Sequence, residues 1–145
     1  MELLQNVHSY LAYVVLLILF IAVANAITGL ISNRMFNLEK DYRLSLFTLI
    51  LSHIQLLLGL AVYIFSASGL NALMNVPMGN MNAAARLLAL EHPLTNILAI
   101  VLITVGWSRH KKFMEGKKKF KSIAIFYGLG LVLILSRIPW NQWFN

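Results

Sequence analysis

Four histidines are the residues of this chain best suited to chemistry, because an imidazole titrates near neutral pH and binds metal ions through nitrogen. They are His8, His53, His92 and His110. The chain contains no cysteine. Thiolate nucleophiles, cysteine-held iron–sulfur clusters and thiolate zinc sites are therefore excluded. Any metal would be held by imidazole, methionine, carboxylate or backbone groups.

The segments that must position these histidines are apolar. Of the 145 residues, 59% are hydrophobic and 12% are charged, whereas charged residues make up about a quarter of a soluble domain. Four stretches are long enough to cross a bilayer, at about 9–32, 44–66, 85–107 and 120–139. Because lipid cannot satisfy backbone polar groups, such spans must be helices. The sequence therefore predicts an all-α, integral membrane four-helix bundle, with residues 1–145 as one domain.

Ten of the twelve lysines and arginines lie in or beside two short loops, 33–43 and 108–119. Positive charge is concentrated in the cytoplasmic loops of membrane proteins, so the sequence predicts that both termini are periplasmic in a bacterial inner (cytoplasmic) membrane. The net charge of +7 then reflects topology and contact with membrane lipids, and not nucleic-acid binding. His110 lies within the second basic run, and we expect it on the solvated surface.

The surroundings of His53 are the least ordinary of the four. At 100° per residue it lies well over 100° from the polar stripe of its own helix, among leucines and isoleucine. An exposed imidazole there would face hydrocarbon, so we expect a covering group: a partner subunit, a quinone-like headgroup or a haem. The polar stripe itself is typical of a helix-packing seam. Its members are Ser45, Thr48, Ser52, Gln55, Gly59 and Ser66.

His92 lies in the densest polar cluster of the chain, between Arg86 and Asn96. Pro93 lacks a backbone donor and disfavours helical geometry at His92, so we expect the helix to kink or to begin there. Glu91 would be neutralised by Arg86 or by Arg137. Because arginine binds carboxylates bidentately, Arg86 or Arg137 could also hold the propionates of a haem.

Depth in the membrane restricts which histidines could share one iron atom. Counted from the inner end of each predicted span, His53 and His92 differ in depth by ~9 Å, and His8 and His92 by ~13 Å. The sequence therefore favours His53 and His92 as the metal ligands of a haem b. His8 is the third candidate.

Four segments resemble a family of small four-span bacterial membrane proteins commonly labelled cytochrome b-like. The segments are VHSYLAY (7–13), SHIQLLLG (52–59), LEHPL (90–94) and GWSRHKK (106–112). Residues 54–59 are also similar to helices of haem A synthases, whose four-helix halves carry facing haem-ligating histidines. The resemblance implies haem binding, with His53 and His92 as axial ligands and His8 as the next choice. Unlike those synthases, this chain has a single four-helix half and no acidic motif for oxygenating a haem.

The function expected from the sequence is haem b binding in the inner membrane, for electron transfer or haem handling, together with a redox partner or other membrane subunits. An alternative is a non-catalytic accessory subunit of a larger inner-membrane complex, respiratory or secretory. The sequence indicates no enzyme, although it does not exclude one. It has no Ser/His/Asp constellation and no glycine-rich phosphate loop, and Glu91 is the only acidic residue within a span.

Overall fold

The structure is a computed structural model, and it describes residues 1–143. These residues form helices joined by short connections and contain no β-strand, so the all-α prediction is confirmed. The helices are α1 (Glu2–Ile31), α2 (Lys40–Phe65), α3 (Leu70–Asn75), α4 (Ala83–Arg86), α5 (His92–Lys112), α6 (Gly116–Ser136) and α7 (Trp140–Trp143). A π-helical turn at Leu87–Glu91 joins α4 to α5.

Four continuous helices of the described chain are long and apolar enough to cross a membrane, as predicted. They are Glu2–Ile31, Lys40–Phe65, Ala83–Lys112 and Gly116–Ser136. The third helix extends five residues beyond the predicted end at 107, into the basic run. Lysine and arginine are good helix formers, and their charge is favourable at a helix C-terminus. A basic sequence therefore did not end the helix.

The four long helices pack as a bundle in which each contacts two neighbours. α1 and α5 each contact both α2 and α6, so α1 lies diagonally across the bundle from α5. The loop between α1 and α2 and the loop between α5 and α6 lie at one end, which we call the basic end. The N-terminus and the 66–82 connection lie at the opposite end.

Most of the close-packed core lies in the half of the bundle next to the basic end. Leu19, Ile103 and Phe120 are fully buried there. Tyr127 is also fully buried and donates a hydrogen bond to the Ser45 carbonyl at 2.8 Å. The α2 polar stripe is buried in this half at Ser45, Thr48 and Ser52. In this half the stripe is therefore a packing seam.

A buried carboxylate organises the connection between α1 and α2. Asp41 is 2% exposed, and its carboxylate accepts two hydrogen bonds from the Arg34 guanidinium, at 2.9 and 3.1 Å. It also accepts from the Asn25 side chain at 2.7 Å and from the Asn37 backbone N–H at 2.7 Å. The charge of Asp41 is thus paired and fully hydrogen-bonded, as burial requires.

His110 does not lie on the surface, so the prediction of a solvated position was wrong. Its side chain is fully buried, with ring centroids 4.5 Å from Trp107 and 5.7 Å from Phe36. The cause is the extension of α5 to Lys112, which places His110 on the same helix face as Ile103 and Trp107. The neighbouring Arg109 and Lys111 remain exposed.

Candidate ligand-binding site

A cavity of about 400 Å³ opens inside the bundle, in the half away from the basic end. Its volume falls in the range of roughly 300–1,000 Å³ that is typical of small-molecule sites. Among the described residues that line it there is no Asp, Glu, Lys or Arg. The polar lining residues are Gln5, His8, Ser9, Ser52, Gln55, Tyr63, Ser66, Ser68, His92, Asn96 and Gln142.

Two histidines from diagonally opposed helices meet in this cavity. The ring centroids of His8 in α1 and His92 in α5 are 6.4 Å apart, and the ring planes are perpendicular at 90°. Two imidazoles that bind one metal ion through a nitrogen each, with bonds of ~2 Å, have centroids about 6 Å apart. The spacing of His8 and His92 therefore suits a shared metal centre.

The ring of His92 is held by the backbone at the end of α6. Its Nδ1 lies 2.7 Å from the carbonyl oxygen of Arg137. Because a carbonyl only accepts, Nδ1 carries the proton, which leaves the lone pair of the neutral ring on Nε2. Histidines that bind metals are held in this way, by donating the other ring N–H to a carbonyl or carboxylate. Asn96 donates to the His92 carbonyl at 2.7 Å, where Pro93 follows in the chain.

The position of His8 depends on two residues of α2. The Gln55 side chain donates to the His8 carbonyl at 2.9 Å. Gly59 faces the imidazole so closely that a Cβ at this position would lie 2.9 Å from His8 Cε1. The missing side chain of Gly59 thus gives the His8 ring its space.

Three buried polar atoms of lining residues have no hydrogen-bond partner within the described chain. They are His8 Nδ1, Ser52 Oγ and Gln55 Oε1. Buried polar atoms in proteins are nearly always paired, with protein, ligand or ordered water. Three such atoms around one cavity offer hydrogen-bonding positions to a ligand or to ordered water.

His53 does not line the cavity. Its Nδ1 lies 2.8 Å from the Leu49 carbonyl oxygen and its Nε2 lies 3.3 Å from the Thr104 hydroxyl. The polar contact that we expected from a partner subunit, a quinone-like headgroup or a haem is thus available from α5. His53 and His92, the pair favoured by the sequence, are not brought together.

The extended third helix explains why the depth estimate favoured the other pair. Measured from the observed helix ends, His92 lies 20 residues from Lys112 and His8 lies 23 residues from Ile31. At ~1.5 Å per residue the two depths are ~30 and ~35 Å, a difference of ~5 Å that helix tilt can absorb. His53 lies 13 residues from Lys40, at a depth of ~20 Å by the same rise.

Arg86 and Arg137 also lie outside the cavity lining. Each binds one oxygen of the Glu91 carboxylate, Arg86 at 3.1 Å and Arg137 at 3.2 Å. The prediction that Arg86 or Arg137 neutralises Glu91 is confirmed, and both do so. With both guanidinium groups at Glu91, the geometry gives no support to a role in holding propionates.

Sequence reasoning did not assign Ser52, Gln55 and Asn96 to the site. Ser52 and Gln55 were recognised only as members of the α2 stripe. The change in residue size along that stripe could have indicated a site. Its first two members, Ser45 and Thr48, are small, whereas Gln55 has a large amide side chain near the middle of an apolar helix. Such a group needs a specific partner.

Comparison of the chain with models of known protein families, with curated proteins and with solved structures finds no match. The resemblance to cytochrome b-like proteins therefore stays a prediction.

Proposed function

We propose that this chain is a multi-pass protein of a bacterial inner membrane that binds one b-type haem in the cavity, with His8 and His92 as the axial ligands. The observation that carries the proposal is the pair of facing imidazoles, 6.4 Å apart by centroid. A bis-histidine haem needs two imidazoles within apolar walls. His8 and His92 meet that requirement, and the walls include Val15, Leu56 and Ile100.

The residues of the chain fit such a ligand in two further respects. His92 is already held in the tautomer with its Nε2 lone pair free, because its Nδ1–H donates to the Arg137 carbonyl. The cavity also lacks formal charge, which agrees with a low-polarity surrounding for the macrocycle.

A haem bound between two imidazoles would supply one-electron transfer. His8 and His92 together would occupy both axial positions and leave none open for a substrate, so the geometry favours electron transfer over chemistry at the metal. Residues around the pair have supporting roles. Gln55 and Gly59 orient His8, Arg137 orients His92, and the close-packed half of the bundle excludes water from the basic end.

The orientation in the membrane follows from the distribution of charge. The basic end carries ten of the twelve lysines and arginines in or beside its two loops, so this end would face the cytoplasm. The cavity and both termini would then lie toward the periplasm. A haem in this position would exchange electrons on the periplasmic side of the membrane.

The proposal is tested by purifying the protein from cells supplied with haem and recording its absorption spectrum. We expect a Soret band corresponding to about one haem per chain, strongly reduced in His8→Ala and in His92→Ala, because each loses one axial ligand. His53→Ala is the matched control and should keep the band. Helical content and elution volume, measured for every variant, separate loss of haem from loss of fold.

Two results would contradict the proposal. One is a colourless wild-type protein despite ample haem. The other is a Soret band that survives in His8→Ala but disappears in His53→Ala and in His92→Ala, which would return the assignment to the pair favoured by the sequence.

A further inference from the structure

The helix that carries His92 contains a π-helical turn just before that histidine. At this turn the His92 N–H bonds to the Leu87 carbonyl, five residues earlier. Pro93 accounts for the wide turn, since a proline inside a helix clashes with the carbonyl four residues before it and offers no N–H. The carbonyl in question is that of Ala89.

The Ala89 carbonyl receives a replacement donor from another helix. The Tyr63 hydroxyl, near the C-terminal end of α2, donates to it at 3.0 Å. Ala89 is fully buried, so a carbonyl left without a donor would be costly. Tyr63 thus supplies the hydrogen bond that the sequence of α5 cannot make.

The far side of the same turn is held by charge. Glu91 lies between Arg86 and Arg137, with ion pairs of 3.1 and 3.2 Å. His92 in turn donates to the carbonyl of Arg137. The turn is therefore fixed from α2 on one side and from the end of α6 on the other.

The register of this turn decides where the His92 ring points. One residue of helix corresponds to a rotation of about 100°, so conversion of the wide turn to regular α-helix would turn α4 and α5 relative to each other by that amount. His92 could not then keep both its bond to Arg137 and its place opposite His8.

We propose that Tyr63 is a positioning residue of the site: its hydroxyl stands in for the N–H that Pro93 lacks, and thereby holds His92 opposite His8. The hydrogen bond from Tyr63 stabilises the turn whether or not a haem is bound. The positioning of His92 as a metal ligand rests on the proposed haem function. Tyr63 also lines the cavity, but this role requires no contact with a ligand.

The test is a double-mutant cycle of Tyr63→Phe and Pro93→Ala, read by amide hydrogen exchange in haem-free protein in detergent. Tyr63→Phe should speed exchange at residues 87–92 by about fivefold, the factor expected for one neutral hydrogen bond. In Pro93→Ala the new N–H can serve the Ala89 carbonyl, so adding Tyr63→Phe should change exchange by less than about twofold. Tyr10→Phe, at an exposed position of α1, is the matched control and should have no effect at residues 87–92.

In the haem-loaded protein, Tyr63→Phe should shift the ferric electron paramagnetic resonance signal, because that signal reports the angle between the two imidazole planes. Tyr10→Phe should leave it unchanged. Two results of the exchange measurement would overturn the role of Tyr63 even if the chain binds haem. One is an equal increase in exchange on Tyr63→Phe in the wild-type and Pro93→Ala backgrounds, and the other is no increase in either background. If the wild-type chain takes up no haem, the haem proposal fails, and the exchange measurement still decides whether Tyr63 holds the turn.

Discussion

His8 and His53 show how far single residues can be interpreted from sequence. His53 stood out because its helix face is aliphatic, yet the structure gives both its ring nitrogens polar neighbours within the chain. His8 was only the third candidate because its estimated depth differs from that of His92 by ~13 Å, yet its ring faces His92. The sequence identified the four histidines as candidates, but did not predict that His8 and His92 face each other. Which histidines come together depends on where each helix ends and on which helices lie diagonally opposite. The residues next to a histidine in the sequence determine neither.

Gly59 provides a prediction at the scale of one residue. Gly59→Ala places a Cβ 2.9 Å from His8 Cε1, so the imidazole must turn away, and we expect haem affinity to fall at least about tenfold through lost alignment. The stability of the fold should change little, because the end of a side chain can move and alanine is favoured in helices by about 1 kcal/mol. Haem titration and thermal unfolding measure the two effects.

Gly128→Ala is the matched control for that experiment. Gly128 also lies within a long helix, but a Cβ there would meet only Val23 Cγ1, at 3.8 Å, an ordinary contact. This variant should gain up to about 1 kcal/mol in stability and keep wild-type haem affinity. Equal haem affinity in Gly59→Ala and Gly128→Ala would show that the His8 ring does not need the space at Gly59.

At the scale of helices, the existence of each long apolar helix was predictable and its ends were not. Apolar length alone identified four helices, because only a helix satisfies its own backbone in lipid. The charge of the basic run from Ser108 to Lys112 predicts a loop, but α5 continues through it. This one error misplaced His110 and also biased the depth comparison against His8.

The α2 stripe shows a second limit at this scale. A 3,4 spacing of small and polar residues correctly indicated a face turned into the bundle, and Ser45, Thr48 and Ser52 are buried there. The same face then lines the cavity from Ser52 to Ser66. Periodicity reports which way a face points. It does not report whether that face packs directly against another helix or lines a cavity, since that depends on the residues of three other helices.

At the scale of the whole molecule, the bundle has two unlike halves. The half at the basic end is close-packed around Leu19, Ile103 and Tyr127. The other half contains the cavity and the histidine pair. The close-packed half would give the proposed site in the other half the rigid scaffold that a binding site needs.

The orientation of these halves is testable because the chain contains no cysteine. Met114 at the basic end is 96% exposed and Met74 at the opposite end is 75% exposed, so each can be replaced by cysteine with little effect on packing. If the basic end is cytoplasmic, a membrane-impermeant maleimide should label Met74→Cys in intact cells. Met114→Cys should be labelled only after permeabilisation.

The cysteine-free parent controls for background labelling in both conditions. The reverse pattern, with Met114→Cys labelled in intact cells, would invert the topology and place the cavity toward the cytoplasm. Labelling of both variants in intact cells would argue against a single orientation.

The measurement that tests the central claim most directly is the electron paramagnetic resonance spectrum of the ferric, haem-loaded protein. His8 and His92, with ring planes at 90°, should give a low-spin signal with the strong anisotropy of perpendicular axial imidazoles. That signal should be replaced by a high-spin one in His8→Ala and in His92→Ala. A low-spin signal that persists unchanged in His8→Ala would contradict the pairing of these two histidines at one iron.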